Sequence, residues 1–216
     1  MEPEYWQQRW QKGETGFHLP RVHPKLEQYW PLLQVPDSAT VFVPLCGKSE
    51  DLFYLWQRGH CVTGIDISEQ AIRAFFTEHQ MTYEVEQVED VVVYQHDRLR
   101  LIAGDYFALQ ASLLGSIDAV YDRAALIALP TSLRQRYVQT LRKWLRPATP
   151  VLLITLDYAQ PEMSGPPFAV SPEEVAQLFA GGEIEQWTHH DILDYEPRFR
   201  TKGVTQLHED VYRIRC

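Results

Sequence analysis

The sequence predicts an α/β fold, a mainly parallel sheet with helices on both faces. Three observations carry it: short apolar runs alternate with helix-periodic segments over most of the chain, several runs end in a loop or an acidic residue, and helix-capping signals follow those ends. The 216 residues, 45% of them hydrophobic, are enough for one domain of generous size with a real core.

Thr40 to Leu45 is the first apolar run and predicts a strand that ends in a loop. Ser49 then caps a helix carrying Leu52, Leu55 and Trp56 on one face, stopped by Gly59. Cys61 to Ile65 reads as a second buried strand ending at Asp66. Ser68 caps the next helix, whose Ala71/Ile72 and Phe75/Phe76 recur at helical spacing. From about Tyr83 to Ile102 the pattern alternates, as in a hairpin followed by a strand. Ile117 to Tyr121 is another strand. Ser132 and Gln135 form a capping-box pattern ahead of a helix with Leu133, Tyr137, Leu141 and Trp144/Leu145 inward, stopped by Pro147.

Val151 to Leu156 is apolar on both faces, as a central strand requires. Ser171-Pro172-Glu173-Glu174 starts a helix that Gly181-Gly182 ends. Ile184 to Trp187 and Asp210 to Arg215 close the sheet. No clear helix separates them, which predicts an antiparallel edge.

Composition narrows the function classes. The net charge of −9, with 20 Lys+Arg against 29 Asp+Glu, opposes binding to nucleic acid or to an anionic membrane surface. No apolar run approaches the roughly 18 residues of a membrane helix. The start, MEPEYWQQRW, lacks the pattern of a signal peptide. Three cysteines, Cys46, Cys61 and Cys216, form no CxxC pair and fit reduced thiols in a cytoplasm.

In a parallel sheet the ligand lies beyond the carboxyl ends of the strands. That directs attention to Pro44–Ser49, Asp66, Asp105-Tyr106, Asp122-Arg123 and the residues from Asp157 onward. Asp66 stands roughly 20 residues past the first loop, the spacing of a carboxylate that binds ribose hydroxyls. On spacing alone a helix-capping Asp is as good a reading. The first loop has a single glycine, Gly47, where a dinucleotide site needs several so that the backbone can approach a pyrophosphate. S-Adenosylmethionine carries no phosphate, so the loop favours methyl transfer over hydride transfer. Gly47-Lys48-Ser49 is not a phosphate loop, because Phe42 stands where that motif needs glycine.

Arg123 is placed to hold a cofactor carboxylate or an anionic acceptor, against the commoner alternative of a surface ion pair. Trp6 and Trp10, one helical turn apart, and Phe17 make an aromatic face. It serves either core packing or a lid over a sulfonium cation. His189-His190-Asp191 is a poor metal site, since adjacent histidines point to opposite sides of an extended chain. Cys46 lacks a His/Asp partner pattern and reads as a buried thiol.

In combination these stretches resemble the thiopurine S-methyltransferase family, its bacterial members most closely. The matching segments are Tyr5-Trp6-x-x-x-Trp10, Gly16-Phe17-His18, Val43-Pro44-Leu45-Cys46-Gly47-Lys48-Ser49, Gly64-Ile65-Asp66-Ile67-Ser68, Tyr121-Asp122-Arg123-Ala124-Ala125-Leu126 and Gly165-Pro166-Pro167-Phe168. The tail from Lys202-Gly203 to Tyr212 fits more loosely.

The resemblance implies a class I S-adenosylmethionine-dependent methyltransferase fold, Rossmann-like, with a seven-stranded sheet. The expected domain is residues 1–216, with an N-terminal helical lid at about residues 1–35. The resemblance also implies cofactor contacts at Trp10, Leu45, Asp66 and Arg123, with Asp105 and Tyr106 bordering the adenine. It places Phe17, Arg123 and Arg198 near the acceptor, the two arginines as catalytic groups. The expected acceptors are thiopurines and other aromatic or heterocyclic thiols, with selenium and tellurium compounds as further candidates. S-Adenosyl-L-homocysteine is the product, no metal is needed and the chain acts as a monomer. Many relatives have Glu where this chain has Asp66, and the stretches 87–98 and 111–116 match poorly, so acceptor preference stays open. Two other readings remain: a dinucleotide-dependent oxidoreductase, and a binding protein that keeps the fold without turnover.

Overall fold

A computed structural model describes residues 3–216. The first two residues of the expected lid lie outside it. The chain divides into two compact units, Met1–Tyr121 and Asp122–Cys216.

The first unit opens with α1 (Pro3–Gln11) and α2 (Pro24–Tyr29). Its sheet strands are β1 (Thr40–Pro44), β2 (Cys61–Asp66), β3 (Glu84–Val88), β4 (Val91–His96), β5 (Leu99–Ala103) and β6 (Ala119–Arg123), whose last two residues open the second unit. They are ordered β3-β4-β5-β2-β1-β6. β5, β2, β1 and β6 run parallel, while β3 and β4 are antiparallel additions at the β5 edge. Parallel pairs need crossovers, supplied by α3 (Glu50–Gln57) between β1 and β2 and α4 (Glu69–Glu78) between β2 and β5. Ser49 caps α3 by accepting the Asp51 N–H, and Ser68 caps α4 by accepting the Ala71 N–H, as the sequence predicts. Val41, Phe42, Val62 and Ile65 of the sheet and Leu52, Leu55, Ile72, Phe75 and Phe76 of the helices are fully buried.

Gly64 in β2 has a steric reason. A Cβ there would fall 2.7 Å from Cys46 Sγ and 2.8 Å from a Leu101 methyl, so the first loop and β5 close over the bare backbone.

In the second unit, β7 (Pro150–Asp157), β8 (Glu183–Asp191) and β9 (His208–Arg215) form an antiparallel set in the order β7-β9-β8. The predicted antiparallel edge is thus present. A bulge between Gln186 and Thr188 places Gln186 and His189 on the same face of β8. α5 (Thr131–Trp144) and α6 (Pro172–Leu178) pack together, and the short α7 (Pro197–Arg200) lies between β8 and β9. Tyr158, Met163, Leu193, Phe199, Val204 and Leu207 form a buried apolar cluster.

Two expectations need correction. The described residues hold nine strands, not seven. The extra pair is the hairpin β3–β4, whose alternating residues were legible but whose pairing onto β5 was not. α5 begins at Thr131 behind Pro130, so Ser132 lies inside the helix and does not cap it; Pro fixes the entry angle and no side chain caps that end.

Candidate active site

The carboxyl ends of β1, β2 and β5 lie side by side, because Pro44 pairs with Ile65 and Asp66 with Ala103. In the first unit this brings three predicted segments together: the loop from Leu45 to Ser49, Asp66, and Asp105-Tyr106. The Gly104 N–H donates to the Asp66 carbonyl at 3.0 Å, and the Cys46 N–H donates to Ile65 at 2.9 Å.

The Asp66 carboxylate organises this edge. Oδ2 accepts the Gly47 N–H at 2.8 Å and Oδ1 accepts the Ser68 N–H at 2.8 Å. The residue is only 7% exposed, and burial pushes its carboxyl up to about 6 against the two hydrogen bonds that favour the charged form. A carboxylate offers about four lone-pair directions, so two remain for hydroxyls. Asp66 therefore shapes the loop with acceptor capacity to spare, which spacing alone did not show.

Leu45 has φ 46° and Gly47 has φ 52°, so the loop reverses sharply after β1. A Cβ on Gly47 would lie 2.9 Å from Trp10 Cζ2 and 4.0 Å from Asp66 Oδ2. The Trp10 indole thus lies directly over the loop, and it is buried. Phe17 packs edge-on against both Trp10 and Trp6, with ring centroids 5.4 Å apart in each case. Trp6, Trp10 and Phe17 thus form one packed aromatic cluster. Asp105 closes the loop after β5 by accepting the Phe107 N–H at 2.8 Å, and Tyr106 is buried beside it.

Cys46 is buried, and desolvation followed by the nearby Asp66 charge pushes its thiol well above the ordinary range. A thiol held protonated is a poor nucleophile, as the sequence predicts.

In the second unit Asp122 is fully buried. It accepts the Tyr137 hydroxyl at 2.7 Å and the Leu126 N–H at 3.1 Å, and burial raises it to about 6. These bonds hold the turn through Arg123 and Ala124, the latter at φ 67°. Asp122 is thereby committed, and no ion pair engages the half-buried Arg123 guanidinium among the described residues. Arg198 differs: its Nε donates to Glu196 at 2.8 Å and its side chain is largely exposed. His189 Nδ1 lies 2.6 Å from the buried Asp210 carboxylate and its ring stacks on His208 at 4.0 Å.

Sequence reasoning missed Asp51. It is 1% exposed and accepts the His23 N–H at 2.7 Å and the Tyr121 hydroxyl at 2.9 Å. Its signal was an acid beside Leu52 and one turn before Leu55, on the buried stripe of α3.

The thiopurine S-methyltransferase family model matches residues 1–216. A thiopurine S-methyltransferase of Pseudomonas fluorescens is 47% identical over 215 residues, covering 99% of both chains. One of Xanthomonas campestris is also 47% identical, over 99% of both chains. Among solved structures, the Burkholderia thailandensis 1,6-didemethyltoxoflavin-N1-methyltransferase, with bound 1,6-didemethyltoxoflavin and S-adenosylhomocysteine, is similar with a TM-score of 0.66. The identity is 16%, over 99% of this chain and 86% of that one. An Anabaena variabilis S-adenosylmethionine-dependent methyltransferase gives a TM-score of 0.66 at 15% identity, over 99% of this chain and 94% of that one.

Proposed function

Because the chain belongs to the thiopurine S-methyltransferase family, we propose that it transfers the methyl group of S-adenosyl-L-methionine to the sulfur of thiopurines and of other aromatic or heterocyclic thiols. It acts as a monomeric cytoplasmic enzyme formed by residues 1–216 as one domain. The observation that carries this reading is the buried Asp66 carboxylate, held by the Gly47 and Ser68 N–H groups beside a loop without phosphate-binding glycines.

In this reading Asp66 accepts the ribose hydroxyls, Leu45 and Trp10 enclose the cofactor, and Asp105 and Tyr106 border its adenine. Arg123 faces the cofactor carboxylate or the acceptor. Phe17 and Arg198 lie on the acceptor side. Three unpaired cysteines suit a reducing compartment.

The cofactor supplies an electrophilic methyl group on a sulfonium. The acceptor thiolate attacks that carbon in line, a new S–CH3 bond forms, and the electrons of the broken bond stay on the cofactor sulfur, leaving S-adenosyl-L-homocysteine. Aromatic thiols ionise near neutral pH, so no strong general base is required. The residues contribute positioning, exclusion of water and cationic stabilisation of the thiolate by Arg123 or Arg198.

The test is methyl transfer from labelled S-adenosyl-L-methionine to 6-mercaptopurine, with selenium and tellurium compounds as parallel acceptors. Label on the thiol sulfur is the expected outcome. Cofactor binding with no transfer to any acceptor overturns the reading in favour of a binding protein, and NAD binding without S-adenosyl-L-homocysteine binding favours an oxidoreductase.

A further inference from the structure

Asp51 is the second residue of α3, two positions past the loop that Asp66 shapes. A carboxylate this buried is tolerated only with good partners. It has the first turn of a helix around it and two donors from distant segments, the His23 N–H and the Tyr121 hydroxyl. His23 caps α2, its Nδ1 accepting the Lys25 N–H at 3.3 Å. At the end of α2, Trp30 donates to His60 Nε2 at 2.9 Å and packs edge-on against Tyr121. The chain from His23 onward is therefore firmly held.

Toward the N-terminus the next firm point is Trp10, on Gly47. Between residues 12 and 23 there is neither helix nor strand, and the backbone turns locally, as where the His18 N–H donates to Thr15 at 2.8 Å. Trp10 ties the start of this segment to Gly47 of the loop, His23 ties its end to Asp51 in the first turn of α3, and Phe17 packs on Trp6 and Trp10. Phe17 sits in its middle.

We infer that Asp51 is a positioning residue for the methyl acceptor: by holding the His23 N–H it sets the segment that carries Phe17 against the loop from Pro44 to Ser49. The inference rests on the proposed place of Phe17 on the acceptor side. Asp51 touches neither acceptor nor cofactor in this account. It acts through the backbone of residues 10–23.

Three substitutions separate this role from plain fold support. Asp51→Leu removes both acceptors and keeps the branching at Cγ. Its KM for 6-mercaptopurine should rise by about tenfold, the scale of one buried hydrogen bond lost, with kcat and S-adenosyl-L-homocysteine affinity within about threefold. Amide exchange should speed up across residues 15–24 and not in the strands. Asp51→Asn still accepts from His23 and donates to the Tyr121 oxygen, so it should restore the wild-type KM. Tyr121→Phe keeps the His23 bond, so it should lower the melting temperature without moving KM. If Asp51→Leu does not fold, His23→Pro deletes the donor at a residue whose φ of −69° already suits proline, and should reproduce the KM rise.

A wild-type KM in Asp51→Leu or His23→Pro overturns the inference, as does an Asn variant impaired as badly as the Leu variant, or an equal KM rise in Tyr121→Phe. Should no thiol be methylated at all, faster exchange at residues 15–24 would show the tether intact and the acceptor reading at fault.

Discussion

The Gly47 N–H donates to Asp66 Oδ2 at 2.8 Å, which joins the only glycine of the first loop to the carboxylate at the end of the second strand. The bond makes the shape of the loop depend on the side chain that the proposed function assigns to the cofactor ribose. Asp66→Ala should weaken S-adenosyl-L-homocysteine binding by about 2–4 kcal/mol, roughly 30-fold or more, read by calorimetry. Undiminished affinity would remove Asp66 as the anchor. Asp66→Glu should bind more weakly than wild type too, because a longer arm displaces one oxygen from Gly47 or Ser68.

Burial holds the Asp66 carboxyl at about 6, above its usual range near 4. A protonated acid is a weaker acceptor for a diol than the carboxylate. Cofactor affinity should therefore fall as pH drops below about 6, and binding near that pH should release a proton. Calorimetry in buffers of different ionisation enthalpy detects that proton; a pH-independent affinity with no release contradicts the prediction.

Asp122 is also raised to about 6 by burial. Its folded form retains a proton that the unfolded chain has already lost. Stability from this group is fully present below about pH 4 and is lost as pH rises through 6. Asp122→Asn should flatten that part of the stability profile in denaturant titrations at pH 4 to 7. A slope identical to wild type would mean that Asp122 ionises normally.

Gly47→Ala places a Cβ 2.9 Å from the Trp10 ring at φ 52°. Both effects are unfavourable, and a cost of about 1–3 kcal/mol in stability is expected. Trp10→Leu in the same chain should recover part of it, because only the steric share depends on the indole. No recovery in the double-mutant cycle would locate the whole cost in the backbone.

Arg123→Lys keeps the charge but not the planar fork. Turnover on 6-mercaptopurine should fall by about tenfold or more, whereas Arg198→Lys, already paired with Glu196 at an exposed site, should have a smaller effect. Equal losses in steady-state assays would give the two arginines equal weight.

The strands and helices around Asp66 were legible because apolar runs, capping serines and the terminal acid all sit within a few residues of one another. Ser49, Ser68 and Ser171 each cap the helix they were expected to cap. Less local features escaped. The hairpin β3–β4 has mostly exposed residues on β3, so no hydrophobic pattern announced its attachment to β5. Asp51 resembles any helix-start acid until its partners, 28 and 70 residues away, are known. The bulge at Trp187 likewise has no composition signal, yet it lets Gln186 and His189 both reach Asp210. Arg123 and Arg198 could be named by motif alone, but their different surroundings, one with no ion pair among the described residues and one tied to Glu196, are tertiary facts.

The same hairpin governs how the molecule meets its neighbours. β5 reads Leu99-Arg100-Leu101-Ile102-Ala103, and its outer side would offer an apolar ribbon of open backbone groups to any passing chain. β4 occupies that side, and the outermost strand becomes β3, Glu84-Val85-Glu86-Gln87-Val88, where two exposed carboxylates punctuate the backbone. Two like-charged ribbons of this kind repel when brought edge to edge. An addition that looks like ornament on a methyltransferase sheet thus works as a guard against fibre-like stacking, and its removal should be felt first as turbidity in concentrated solution, ahead of any change in turnover.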